Sequence, residues 1–328
     1  MKTCIIVTVY KNRYNSLINW LNSKESTISD KADIILLAQY NDTYKDYESY
    51  CKKENCKVVW CDATQLNAKR HFGYHWAIEN GYDILIWSDD DIRKGGQYTD
   101  FTKTEGGSNK TRVVPIDFIY NRLMETIEAH PDSGMVTCFR SGFLGAASHA
   151  REYKNEHLHP SQVVAINLKN TKNDKSIDYP IEDDMVEDQL FFISVYMARY
   201  PIYVAGDVTY NCSNAYNWEE NKSLVYTNEL GGRYKRDKQI IRQYITYGGD
   251  IRLSKKGLLT QFIKHNKYYC AKKEDLPIPY SSKFDDELMK LCKSREVDDA
   301  LVNEVYEYLK NKKNNKNKWN VYIENGLC

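Results

Sequence analysis

Over the first ninety residues, apolar positions come in short unbroken runs, separated by stretches in which they recur at helical spacing. Ile5–Tyr10, Ile34–Ala38 and Lys57–Cys61 read as strands. Polar residues follow the first two: Lys11, Asn12 and Arg13 after one, Gln39, Asn41 and Asp42 after the other. Leu17, Trp20 and Leu21 have helical spacing between those strands, and Leu66–Asn80 predicts a helix with Ala68, Phe72 and Trp76 on one face, ended by Gly81. Asp83–Ser88 is apolar without alternation, the pattern of a central strand buried on both faces. Strands alternating with helices predict an α/β fold: a mixed, mainly parallel sheet flanked by helices, with ligands at the carboxyl ends of the strands.

The pattern is less regular further on. Lys94–Lys110, rich in Gly, Thr and Lys, reads as a loop, and Ile119, Leu123 and Ile127 at i,i+4 predict a helix over Ile116–Glu128. Gly134–Phe139, Val163–Leu168 and Ile202–Tyr210 read as strands. A polar insertion, Lys169–Tyr179, leads to the acids Glu182, Asp183, Asp184, Glu187 and Asp188, which open a helix with the stripe Val186, Leu190, Ile193 and Met197, closed by Pro201. From Tyr226 the chain turns basic and helical, and Leu301, Val305 and Leu309 mark a last amphipathic helix.

A chain of 328 residues with 42% hydrophobic content can bury a large core, which excludes a disulfide-stapled miniprotein and a wholly disordered chain. Net charge of +1 removes the simplest argument for nucleic acid binding and leaves only a local basic groove. Met1–Tyr10 is too short for a secretory signal, and no run approaches the roughly 18 apolar residues needed to span a bilayer, so the expected location is cytoplasmic, the host cytoplasm if the chain is viral. The cysteines read as reduced core thiols, with Cys51, Cys56 and Cys61 spaced too widely for a zinc knuckle. His149, His157 and His159 make a poor zinc set.

The sharpest chemical feature is Asp89-Asp90-Asp91 at the end of the buried strand. Three adjacent carboxylates repel one another, and a divalent hard cation is the natural partner that neutralises them. A solvated strand end with capping aspartates is the alternative.

In this setting the segment Asn67–Ile92 resembles the corresponding part of the GT-A fold glycosyltransferases, Rossmann-like enzymes in which a helix bearing a basic residue and an asparagine precedes a strand ending in an Asp-x-Asp signature. The resemblance runs over roughly residues 4 to 212. It implies Mn2+ or Mg2+ as metal and a UDP-sugar as donor, with GDP-sugars as the other option. Asp91 becomes the direct metal ligand, Asp89 a ligand of metal or ribose, and Asp90 a contact to the donor sugar. By the same resemblance Tyr10 flanks the base, Arg13 approaches the diphosphate, Asn41 and Asp42 bond the base or ribose, and Lys69 and Arg70 compensate the diphosphate. Many members add a histidine after the last core strand as a metal ligand. Here Cys212, Ser213 and Asn214 follow Tyr210, so metal binding without nucleotide is expected to be weak.

Inverting members carry their catalytic carboxylate at the start of a helix beyond the middle of the sheet, which Glu187-Asp188 resembles. Asp188 is the expected general base and Glu187 its neighbour in the catalytic pair; the Glu182–Asp184 cluster is the alternative source of the base. Residues 1–215 are expected to form the nucleotide-sugar-binding and catalytic core. Residues 216–328 are expected to form a basic, mostly helical extension packed on the core and contributing to the acceptor site.

Arg233, Arg236 and Lys238, with Tyr234 among them, suit a phosphate backbone. In organisation this resembles phage-encoded DNA-base glycosyltransferases and makes a hydroxymethylated DNA base the favoured acceptor; a polysaccharide or glycolipid is the competitor. A nucleotidyltransferase would carry a Gly-rich loop after the first strand, and Lys11–Tyr14 has no glycine. A noncatalytic nucleic-acid-binding protein would leave the three aspartates without purpose.

Overall fold

The computed structural model describes residues 1–9, 31–39, 47–49, 51, 56–63, 65–90, 92–98, 111–140, 152–154, 162–181, 187–212, 232–253, 257, 259–262 and 285–314. The chain divides into two compact units, one of Met1–Asn155 with Pro160–Ser213 and the other of Glu156–His159 with Asn214–Cys328.

The first unit is built on a ten-stranded mixed sheet. Its strands are β1 (Thr3–Thr8), β2 (Asp33–Gln39), β3 (Cys56–Cys61), β4 (Ile84–Asp89), β5 (Ile92–Tyr98), β6 (Thr111–Val114), β7 (Met135–Arg140), β8 (Glu152–Lys154), β9 (Val164–Asn167) and β10 (Ile202–Cys212). The order is β3-β2-β1-β4-β9-β7-β10-β5-β6, with β8 paired to β10. The half formed by β3, β2, β1 and β4 is parallel throughout. Beyond it β9 runs antiparallel to both neighbours, while β7 and β10 are parallel to each other. The chain leaves β1 toward β2 and β3 on one side and returns to β4 on the other, so the topological switch lies between β1 and β4, where ligands of open α/β sheets collect.

Alternation along β4 assigns the two faces of the sheet. Ile84 and Ile86 join a core with Ile116, Ile119, Tyr120 and Leu123 of α2 (Ile116–Ala129), and Ser88 Oγ lies 2.7 Å from the Tyr120 hydroxyl on the same side. Trp87 faces the other way, toward α1 (Leu66–Glu79). Asp89 shares the parity of Trp87, and the period of two therefore delivers its carboxylate to the α1 face.

The helix α2 buries Ile119, Leu123 and Ile127 as its spacing predicts. Burial on α1 differs from expectation: Ala68, Phe72 and Trp76 are only half-buried, whereas Asn67, Lys69, Arg70, Gly73, Tyr74 and Ala77 are buried. The reason is contact distance. A Cβ on Gly73 would lie 2.6 Å from Trp87 Cη2 and 3.1 Å from Leu37 Cδ2, so this face approaches the sheet more closely than a bulkier stripe permits. Gly73→Ala is expected to lower the unfolding free energy by about 1–3 kcal/mol through overpacking, readable by urea denaturation. An unchanged midpoint would refute that close approach.

Three other expectations need correction. Ile92–Tyr98 is a strand and not the start of a loop; its glycines allow close packing, since a Cβ on Gly95 would lie 2.9 Å from Val114 and 3.0 Å from Ile119. Residues 99–110 lie outside the described ones. The helix α4 (Glu187–Met197), numbered after the single turn α3 (Leu168–Thr171), is buried over most of its circumference; of the expected stripe Ile193 is buried and Leu190 and Met197 are half-buried, while Val186 lies outside the described residues. Cys51 and Cys56 are joined as a disulfide, whereas Cys4, Cys61 and Cys138 are free and buried.

The second unit contains α5 (Gly232–Tyr247), α6 (Asp286–Lys293) and α7 (Asp299–Asn314), and also an antiparallel pair, β11 (Asp250–Leu253) with β12 (Leu259–Phe262), that the helical pattern did not suggest. Its core includes Ile240, Ile241, Tyr244, Leu288, Leu301, Val305 and Leu309. Asp285 caps α6 by accepting from the Leu288 amide at 3.3 Å. Among the described residues no helix is long and apolar enough to cross a membrane.

Candidate active site

The carboxyl ends of β1 and β4 lie side by side, with Thr8 opposite Asp89. Buried Lys69 on α1 donates to the carbonyl oxygen of Val9, the residue after β1, at 3.2 Å. Burial lowers the pKa of this ammonium, opposed by Cys61 and Asp90. Asp90, directly after β4, is 1% exposed.

Arg70 joins the next two elements. One guanidinium nitrogen lies 3.2 Å from Asp89 Oδ1 at the strand end, and the other lies 3.2 Å from Glu187 Oε1 at the head of α4. Its side chain is 6% exposed and Glu187 is 8% exposed, so the bridge is shielded from water. Burial alone would work against the guanidinium charge, but Glu187 and Asp89 outweigh it and hold Arg70 protonated. The Glu187 carboxyl is pushed up to about 7, by burial first and by Asp188 beside it, with Arg70 opposing. Asp188, next in the first turn of α4, is half-buried, and its Oδ1 accepts from the Gln189 amide at 2.8 Å.

A wall of aromatic rings and backbone holds the segment leading to α4. Tyr179 stacks on Phe191 at 4.1 Å between centroids and meets Trp87 and Tyr74 edge-on. Asn67 Nδ2 donates to the carbonyl oxygens of Pro180 at 2.9 Å and Ile181 at 2.7 Å. Sequence reasoning did not find this clamp. Asn67, His71, Tyr74 and His75 recur at the spacing of one helix face, but such a polar stripe reads equally as a solvated one.

Tyr10, Arg13, Asn41, Asp42 and Asp91 lie outside the described residues, as do Glu182–Asp184, His149, His157 and His159. Lys69, Arg70, Asp89, Asp90, Glu187 and Asp188 are drawn to one end of the sheet. Acids outnumber cations in this group, and their oxygen donors are of the hard type that Mg2+ and Mn2+ take. Of the three basic residues expected to meet DNA, Arg236 donates to Asp237 Oδ1 at 3.0 Å and to the Leu259 carbonyl at 2.7 Å, and Lys238 pairs with Asp299 at 2.6 Å. The Arg233 side chain lies outside the described part of α5.

No family model and no curated protein sequence matches the chain. Solved structures that resemble it include S. aureus TarS 1–349 in complex with UDP-GlcNAc, at 18% identity over 75% of this chain and 67% of that one, with a TM-score of 0.48. Another is the mannosyltransferase PcManGT from Pyrobaculum calidifontis in complex with GDP-Man and Mn2+, at 13% identity over 75% and 63% of the two chains, with a TM-score of 0.47. GalNAc-T7 with UDP, GalNAc and Mn2+ is similar at 9% identity over 74% and 51%, with a TM-score of 0.45. Likenesses this distant assign neither an activity nor a ligand.

Proposed function

We propose that the chain is a GT-A fold glycosyltransferase that moves a sugar from a UDP-sugar to an acceptor hydroxyl with inversion at the anomeric carbon. The observation that carries this reading is the Arg70 bridge, which ties an acid at the carboxyl end of β4 to an acid at the head of α4, beside the switch point of the sheet. One buried cation thereby sets the spacing between a donor side and an acceptor side.

Asp89 and Asp91 would hold Mn2+ or Mg2+, which when bound neutralises charge on the departing diphosphate. Lys69 anchors the backbone at Val9, directly after β1. Asp188 takes the proton of the acceptor hydroxyl as its oxygen bonds to the anomeric carbon, and the bond to the diphosphate breaks with its electron pair leaving on UDP. Glu187, fixed by Arg70, is a positioning residue for its neighbour.

Calorimetry with UDP tests the donor half. Binding should require Mn2+ or Mg2+ and should be lost in Asp91→Asn, which leaves the Arg70 bridge to Asp89 and Glu187 in place, with the thermal transition retained. Equal UDP affinity in EDTA, or in that variant, would overturn the proposal.

For the acceptor, a hydroxymethylated DNA base remains the finer reading, although the partners of Arg236 and Lys238 reduce the cationic surface on which it rested. Lys235 and Arg242, both exposed on the same helix, are the residues through which this reading is tested. Reversing both charges should lower the slope of log affinity for duplex DNA against log salt by about two, since each phosphate contact contributes about 0.9. An unchanged slope would favour a polysaccharide or glycolipid acceptor.

A further inference from the structure

Beside the buried side of α1 lies a second cluster that the transfer chemistry does not use. His71 and His75 stand one helical turn apart, with ring centroids 4.4 Å apart. Asp178, from the segment before α4, lies between them: its Oδ1 is 2.9 Å from His71 Nδ1 and its Oδ2 is 3.0 Å from His75 Nε2. One ligand atom from each residue lies within 4.8 Å of the others.

We propose that His71, His75 and Asp178 bind a divalent transition-metal ion of the zinc class, at a site separate from the strand-end acids, and that the ion pins the segment 178–181 to α1. Spacing is the first argument. Around a tetrahedral Zn2+ with bonds of about 2.0–2.1 Å, ligand atoms lie roughly 3.3 Å apart. The two histidine-to-carboxylate separations, each to a different oxygen of Asp178, are close to that, and one ligand atom from each residue lies within 4.8 Å of the others, so ion binding needs only a local adjustment of these side chains.

Donor chemistry is the second argument. Two imidazoles and one carboxylate suit Zn2+, Co2+ or Ni2+, whereas the all-carboxylate end of β4 suits Mg2+ or Mn2+. Without an ion the nitrogens facing Asp178 donate to its carboxylate, and His71 Nδ1 also lies 3.3 Å from the Tyr179 carbonyl oxygen; an ion replaces these contacts, each neutral ring then carrying its proton on the other nitrogen and presenting a lone pair. Access is the third. The three side chains are 27%, 44% and 37% exposed, which leaves an entry path and room for water as a fourth ligand.

The segment so pinned also carries Tyr179, stacked on Phe191 of α4, and the two carbonyls held by Asn67. An ion here would stiffen the approach to Glu187 and Asp188 without touching donor or acceptor.

Co2+ titration of the full chain, stripped of metal and free of nucleotide, tests the site by its visible absorption. Wild type should take up one equivalent with imidazole-type d–d bands, and Zn2+ should displace it and raise the thermal midpoint. His71→Gln/His75→Gln should lose the bands, and Asp178→Asn should weaken binding by at least the roughly 10–100-fold that even outer-shell partners command. Absence of bands in wild type, or their persistence in the double histidine variant, would show that the cluster is a hydrogen-bonded clamp that takes no metal. Because no variant of the donor acids enters the expected loss, this result stands or falls apart from the transferase reading.

Discussion

Arg70→Met is expected to lower stability by about 3–5 kcal/mol at pH 8, the usual cost of removing one partner from a buried ionic cluster, and to abolish sugar transfer. Two carboxylates then face each other without the guanidinium between them. The deficit should shrink on acidification. Glu187 already titrates above its ordinary value, at about 7, because burial outweighs Arg70; without Arg70 it rises further. A carboxyl whose folded pKa exceeds its unfolded one binds more protons folded than unfolded between the two values. Stability therefore increases as pH falls through the folded pKa and is fully gained below the unfolded one. Urea denaturation of wild type and variant at pH 8 and pH 5 reads this directly, and a deficit equal at both values would sink the bridge as described. Arg70→Lys should not rescue transfer, because a single ammonium cannot present two separately directed nitrogens to Asp89 and Glu187.

Asp188→Asn is expected to bind donor and metal nearly as wild type and to lose roughly 100-fold or more in transfer, the lower end of what a placed general base supplies. Its neighbour Glu187 is paired with Arg70, and Asp89 sits at the strand end of the same bridge. Among the described acids of this group, Asp188, half-buried at the head of α4, combines orientation with access. Product NMR should show inversion. Retained configuration, or near-normal turnover of Asp188→Asn, would redirect the search to Glu187 or to the Glu182–Asp184 cluster.

The parallel half of the sheet was legible in the sequence because β1, β2 and β4 are apolar without interruption, and continuity of that kind reports burial on both faces. The stripes of α2 and α7 were legible for the same reason: apolar periodicity is a local record of burial. The acids at the end of β4 stood out because their mutual repulsion needs an explanation wherever they are placed.

Faces buried for polar reasons were not legible. Along α1 the buried side carries Asn67, Lys69, Arg70 and Gly73, and no local pattern distinguishes such a side from a solvated one. Its burial depends on Trp87 needing space, on Asp89 pointing to that side of the sheet, and on Glu187 arriving from a distant helix. Likewise Asp178 reaches His71 across 107 residues of chain. The sequence by itself determined where the backbone must be buried, since water exclusion acts on each run of apolar residues separately. Which charges meet was decided by the tertiary structure alone, because an ion pair exists only once two remote elements have packed and excluded the water between them.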